Sequence, residues 1–203
     1  MLERLLKPNY TKFLVAPIVK SVLIPRKVTP NTVTFFGVLF GLIAGFTIAF
    51  HQPFLGIITL LLSGYADTLD GQLATLTKQQ TDLGCIYDIV SDRIVEIAII
   101  FGLYFYAPNT RHLYTMLMIA SILVCITCFL VVSLFKDQNE SAKEKSFLYS
   151  EGLIERAEAF IFFIAMITFP QYFKFLALVF SLLVILTAAL HIYFFSAYKN
   201  VKY

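Results

Sequence analysis

The sequence predicts an all-α, polytopic membrane protein: six transmembrane helices preceded by an interfacial amphipathic helix. Three observations carry that prediction. Of 203 residues, 59% are hydrophobic and only 14% charged, too little polar surface to cover a soluble core of this size. The apolar residues gather into six runs, near 32–50, 54–76, 84–106, 113–135, 153–169 and 173–197, each close to the roughly 20 residues a spanning helix requires. The connections are short, so neighbouring runs are antiparallel. A backbone in lipid must satisfy its own hydrogen bonds, which leaves a helical bundle.

Residues 1–27 form a cytoplasmic interfacial segment and 28–203 a single six-helix domain. The opening stretch is no cleavable signal, because Lys7, Lys12 and Lys20 interrupt it and no small-residue cleavage site follows. Leu2, Leu5, Leu6, Phe13, Leu14, Ile18, Val22 and Leu23 recur at helical spacing with Arg4, Lys7 and Lys20 between them, as an amphipathic helix kinked near Pro17 would have them. Asn31 or Thr32 is placed to cap the first span. That span carries Gly37, Gly41 and Gly45 four apart, a strip along which another helix can approach closely. Gln52-Pro53 and Phe169-Pro170 punctuate outer turns.

With no Trp, the interfacial belts fall to the 11 Tyr and to Lys or Arg. The basic residues of the N-terminal arm, the 77–83 and 136–151 loops and the C-terminus lie on one side, against only Arg111 and Lys174 on the other. This asymmetry puts both termini in the cytoplasm of an integral protein of the inner membrane or its equivalent. A formal charge of +3, without a basic run interleaved with aromatics, argues against nucleic acid. Cys85, Cys125 and Cys128 sit in apolar helical sequence as small packing residues, and His51, His112 and His191 are too scattered to ligate a metal together.

The chemistry gathers in DTLDGQLATLTKQQTDLGCIYDIVSD, from Asp67 to Asp92. Carboxylates inside spanning runs are costly and are kept for function. Asp67 and Asp70 are three apart and Asp88 and Asp92 four apart, so each pair projects from one helix face. Counted from the span ends, the first pair lies about 9–14 Å deep and the second about 6–12 Å deep, the same level on adjacent antiparallel helices. Four acids so placed repel unless cations bind between them. Oxygen-only ligands select a hard divalent ion, Mg2+ or Mn2+, and two ions bridged by shared carboxylates suit displacement at phosphorus. The small residues Gly71, Ala74 and Gly84 beside the acids leave room for a ligand.

The stretch resembles the signature of the CDP-alcohol phosphatidyltransferases, D-x-x-D-G-x-x-A-R-x8-G-x3-D-x3-D. Asp67, Asp70, Gly71, Ala74, Gly84, Asp88 and Asp92 match it at every spacing, and Thr75 stands where the family has Arg. The six-span bundle with its amphipathic arm is similar to that family over nearly the whole chain. The resemblance implies that Asp67, Asp70 and Asp88 coordinate the metals that hold a CDP-diacylglycerol-type donor. Asp92 would be the general base toward a small alcohol acceptor and a further contact to metal. Gly71, Ala74 and Gly84 would shape the nucleotide pocket, with Thr81 lining it. Thr75 can hydrogen-bond a phosphate but offers neither charge nor a bidentate fork; Lys78, three residues on, is the candidate substitute. The family commonly forms homodimers.

GLIERAEAF and DIVSDR are similar to the inositol-phosphate-using branch, although that branch has an Arg-rich end to the fourth span where this chain reads FKDQNE. Lys136 and Arg156 are the candidate acceptor-binding residues, a cationic pair for a phosphate-bearing alcohol. Lys136 is equally placed to be a snorkelling anchor, and Arg156 to pair with Glu155, Glu158 or Glu96. Glu96 is also in reach of Arg93. Two other classes stand beside this reading: a divalent-cation carrier using the same acids, and a low-activity relative acting as a scaffold, which Thr75 alone suggests.

Overall fold

The computed structural model describes residues 11–136 and 153–201. Among them no strand occurs, and six long helices follow an N-terminal helical segment: α1 Pro30–Ala49, α2 Pro53–Thr77, α3 Asp82–Tyr106, α4 Pro108–Lys136, α5 Arg156–Thr168 and α6 Phe173–Val201. They fall on the six predicted runs. Pro30–Ala49, Pro108–Phe135 and Pro170–Ala197 are long and apolar enough to cross a membrane. α2 and α3 have the length, at 25 residues each, but carry the acids. α5 departs from expectation. Its 13 residues rise only about 20 Å, less than a hydrocarbon core. The run predicted from residue 153 starts three residues late because the N–H groups of Leu153 and Ile154 both donate to Thr187 Oγ1 on α6, each at 3.1 Å.

The chain divides into two compact units. The first, residues 3–111, contains α1, α2 and α3. Its helical entry is wound unevenly: Thr11–Val15 and Val19–Leu23 are π turns around the single α turn Ala16–Ile18. Pro17 sits in that α turn, where its missing N–H forbids the regular ladder. Val15 and Val19 are fully buried against Val33, Ala66 and Leu73, and Tyr65 Oη donates to the Leu14 carbonyl at 2.9 Å. Phe13 and Leu14 on the other side are exposed. The segment is thus docked on α2 by one apolar face while presenting a second.

Thr29, rather than Asn31 or Thr32, caps α1, its hydroxyl accepting from the Thr32 N–H at 3.3 Å. The reason is Pro30, whose fixed φ suits the first helical position and moves the cap one residue back.

The glycine strip packs as expected, and against two helices. Residues four apart drift about 40° around a helix, so the strip turns as it climbs. Gly37 faces Ala66 and Ser63 of α2, whereas Gly41 and Gly45 face Val95 and Ala98 of α3. Gly102 of α3 returns the approach on the Gly45 backbone. A methyl at Gly45 would collide with the Ala98 carbonyl, which cannot rotate away; one at Gly37 would rest 3.3 Å from the Ala66 methyl. Gly45→Ala is expected to destabilise the protein by about 1–3 kcal/mol and Gly37→Ala by clearly less, read as thermal unfolding in detergent.

The second unit begins at His112 and holds most of α4 together with α5 and α6. Phe163 of α5 and Phe180 of α6 are buried with ring centroids 5.6 Å apart. Lys174 Nζ lies 5.9 Å from the Tyr114 ring, tying the start of α6 to α4. The basic arm 1–10, most of the 136–151 loop including DQNE, and the side chains of Lys12, Lys199 and Lys202 lie outside the described residues.

Candidate active site

α2 and α3 are joined by a tight reversal, so the acids closing one helix meet those opening the next. α2 ends when Lys78 adopts a left-handed conformation (φ 56°, ψ 33°), and α3 begins at a cap in which Thr81 Oγ1 accepts from the Gly84 N–H at 3.0 Å. The outcome is that carboxylate oxygens of Asp67, Asp70 and Asp88 all lie within 4.8 Å of one another. Their exposure is graded: Asp70 is buried, Asp67 half-buried and Asp88 exposed. The cluster therefore has a floor and an open side.

The floor is braced from α1. Thr34 Oγ1 lies 2.5 Å from Asp70 Oδ2 and 3.2 Å from its own helix carbonyl, Pro30 O. A hydroxyl has one proton to give, and the shorter, charge-assisted bond to the carboxylate takes it. One Asp70 oxygen is thereby held and the carboxylate's orientation set, the outer-shell arrangement that tunes metal ligands. Thr34→Val is expected to lower Mn2+ affinity roughly 10-fold, and Thr34→Ser to restore it, measured by EPR titration of free Mn2+.

The carboxylates open on a cavity of about 530 Å³, entirely within the first unit. Asp67, Asp70, Gly71, Ala74, Thr75, Thr81, Gly84 and Asp88 line it. A methyl added at Gly71 would touch nothing within 4 Å, so this wall is open. Sequence reasoning missed Pro30, Asn31 and Thr34 of α1, along with Gln79 and Gln80 of the reversal, all of which also line the cavity. One signal was available for Thr34: it precedes Gly37 by three and so shares the face of the glycine strip.

Other predicted site residues stand elsewhere. Lys78 was expected to continue the helical face of Thr75; instead it leaves the helix as its left-handed cap, is exposed, and does not line the cavity. Asp92 lies one turn beyond Asp88 on α3, half-buried, and outside the three-carboxylate cluster. Beside it Arg93 Nη2 donates to Glu96 Oε1 at 2.9 Å, the nearer in sequence of the two partners, Arg93 or Arg156, that the sequence offers Glu96. In the second unit, Arg156 is the first residue of α5, half-buried, with its guanidinium 5.6 Å from the Phe160 ring centre. Lys136 ends α4, and its side chain is outside the described residues.

Three anionic oxygens this close fit a divalent cation. No nitrogen or sulfur ligand joins them in the described cluster, which matches the preference of Mg2+ or Mn2+ for oxygen.

The chain is 31% identical over 146 residues to a phosphatidylinositol phosphate synthase of Mycobacteroides abscessus, covering 71% of this chain and 64% of that one. It is 29% identical to the inner membrane protein YnjF of Escherichia coli, over 100% of this chain and 98% of YnjF. An archaetidylinositol phosphate synthase of Pyrococcus horikoshii is 33% identical over 37% of this chain and 40% of its own. The chain thus spans less than two thirds of the two named synthases. The crystal structure of Mycobacterium tuberculosis phosphatidylinositol phosphate synthase with CDP-DAG bound superposes with a TM-score of 0.73 at 18% identity, covering 90% of this chain and 93% of that one, a likeness of fold. A second crystal structure of that enzyme, in complex with manganese and citrate, gives a TM-score of 0.71 at 18% identity, covering 90% of this chain and 88% of that one. Residues 27–194 match the family described as CDP-alcohol phosphatidyltransferase, and the chain belongs to that family.

Proposed function

We propose that the protein is an integral-membrane transferase that moves a phosphatidyl or related CDP-linked group from a CDP-diacylglycerol-type lipid to an alcohol, releasing CMP, in phospholipid biosynthesis. The observation that carries this reading is the convergence of Asp67, Asp70 and Asp88 on one cavity within the matched region. These three residues would hold two Mg2+ or Mn2+ ions. Such ions, when bound, neutralise a pyrophosphate and act as Lewis acids toward phosphoryl oxygens.

The chain's own residues do the rest. Gly71, Ala74, Thr75, Thr81 and Gly84 form the wall that receives the nucleotide. The acceptor hydroxyl gives its proton to Asp92 as its oxygen attacks the lipid-side phosphorus. The bond from that phosphorus to the CMP oxygen breaks, and CMP leaves with the electron pair. Arg156 and Lys136 belong to the same reading as cations that draw a phosphate on the acceptor, with inositol phosphate as the favoured alcohol. The site opens to the cytoplasm, on the side of both termini, as the Lys/Arg asymmetry supports.

The test is product formation by purified protein given labelled CDP-diacylglycerol, Mn2+ and, in turn, inositol phosphate, glycerol phosphate, serine or inositol. A phosphate-bearing lipid product made best from inositol phosphate is expected. Equal or better use of serine or free inositol would remove the phosphate-acceptor reading and the role of Arg156 with it.

A further inference from the structure

We infer that Gln80 provides the side-chain hydrogen-bond donor to the phosphate oxygens of the nucleotide donor, in the place that the motif gives to an arginine; this rests on the transferase reading above. Thr75 occupies that motif position. The donor capacity of its hydroxyl is used up. Thr75 Oγ1 donates its one proton to the Gly71 carbonyl at 2.9 Å and accepts from Gln80 Nε2 at 3.2 Å. It has no proton left for a ligand.

Gln80 does. A primary amide carries two N–H groups, and the bond to Thr75 uses one. The backbone explains how a residue five positions on comes to lie over Thr75. With Lys78 left-handed, the Gln79 N–H reaches back to the Ala74 carbonyl at 3.0 Å, and the chain folds over the last turn of α2. The reversal that removes Lys78 from the cavity is the one that brings Gln79 and Gln80 to it. Thr75, Gln80 and the carboxylates of Asp67, Asp70 and Asp88 line one cavity. A ligand held by cations at those acids has anionic oxygens to offer, and the amide is a donor that can meet them.

An amide differs from an arginine in consequence. It gives a neutral hydrogen bond, weaker than a charge-assisted one, and it neutralises nothing. Recognition of the diphosphate then leans on the cation, with Gln80 selecting for the phosphate oxygens.

The experiment is binding of CDP and of cytidine to the purified full chain in detergent with saturating Mn2+, alongside Mn2+ titration without nucleotide. Gln80→Ala is expected to weaken CDP roughly 3–10-fold, the size of one neutral hydrogen bond, while leaving cytidine and Mn2+ affinity unchanged. Gln80→Arg is expected to tighten CDP and to permit measurable CDP binding without Mn2+. Wild-type CDP affinity in Gln80→Ala, or equal losses for CDP and cytidine, overturns the assignment alone. Failure of the wild-type protein to bind CDP with Mn2+ overturns the transferase reading and this inference with it.

Discussion

Asp70→Asn is expected to lower Mn2+ affinity about 100-fold or more and to reduce turnover below about 1% of wild type, because it removes a ligand where loss of an outer partner alone typically costs 10–100-fold. Asp70 is the most enclosed of the three clustered carboxylates and the one whose orientation is fixed from a third helix by Thr34. Asparagine has nearly the same shape and keeps an oxygen for the Thr34 hydroxyl, so the fold should survive. The substitution should even help the metal-free protein. Three carboxylates within 4.8 Å repel, and neutralising the buried one relieves that repulsion. Metal-free Asp70→Asn should therefore melt higher than metal-free wild type, by about 2–4 °C for each kcal/mol relieved, while the rise on adding Mn2+ disappears. A variant that melts lower without metal, yet keeps its Mn2+ response, would contradict a metal role for the cluster. The site trades stability for chemistry, and this pair of melting curves exposes the trade.

Asp92→Asn should separate the carboxylates by role. As base toward the acceptor hydroxyl, Asp92 is expected to contribute roughly 10²–10⁴-fold to turnover. It stands one turn beyond Asp88 and outside the clustered three. CDP-diacylglycerol and Mn2+ should bind Asp92→Asn as they bind wild type, with the loss confined to kcat. A fall in Mn2+ affinity equal to that of Asp70→Asn would make Asp92 a metal ligand instead. A near-normal rate would remove it as the base.

The contrast between these two variants reflects what a linear reading can and cannot resolve. Helical period places Asp67 with Asp70 and Asp88 with Asp92, and depth counting brings both pairs to one level. It does not separate Asp92 from the three acids whose oxygens lie within 4.8 Å of one another. The glycines at 37, 41 and 45 announced a close approach, but the 40° drift per step, and hence the change of partner from α2 to α3, needed both neighbours to be known. Thr34 was passed over because its importance is tertiary: a threonine in an apolar helix ordinarily bonds its own i−4 carbonyl, and only the arrival of Asp70 offers a better acceptor.

Local backbone choices caused the remaining differences. Lys78 looked like a continuation of the α2 face, but its positive φ turned it out and Gln80 in. The fifth run looked long enough to span, but Thr187 captured the N–H groups of Leu153 and Ile154 before the helix began. Thr29 took the cap expected of Asn31 or Thr32 because Pro30 fits the first helical position better than the cap itself. In each case one or two hydrogen bonds, or one dihedral, moved the outcome away from the residue pattern.

On the proposed function, these acids serve transfer from a CDP-lipid rather than passage of a cation. The most direct measurement is CMP release by the purified protein from CDP-diacylglycerol in the presence of an alcohol acceptor, titrated with Mn2+ or Mg2+, with Asp70→Asn as control. CMP release that requires both acceptor and divalent ion, saturates with the ion and vanishes in Asp70→Asn is the predicted result. Uptake of Mn2+ into vesicles carrying the protein, with no CMP formed from any acceptor, would contradict it.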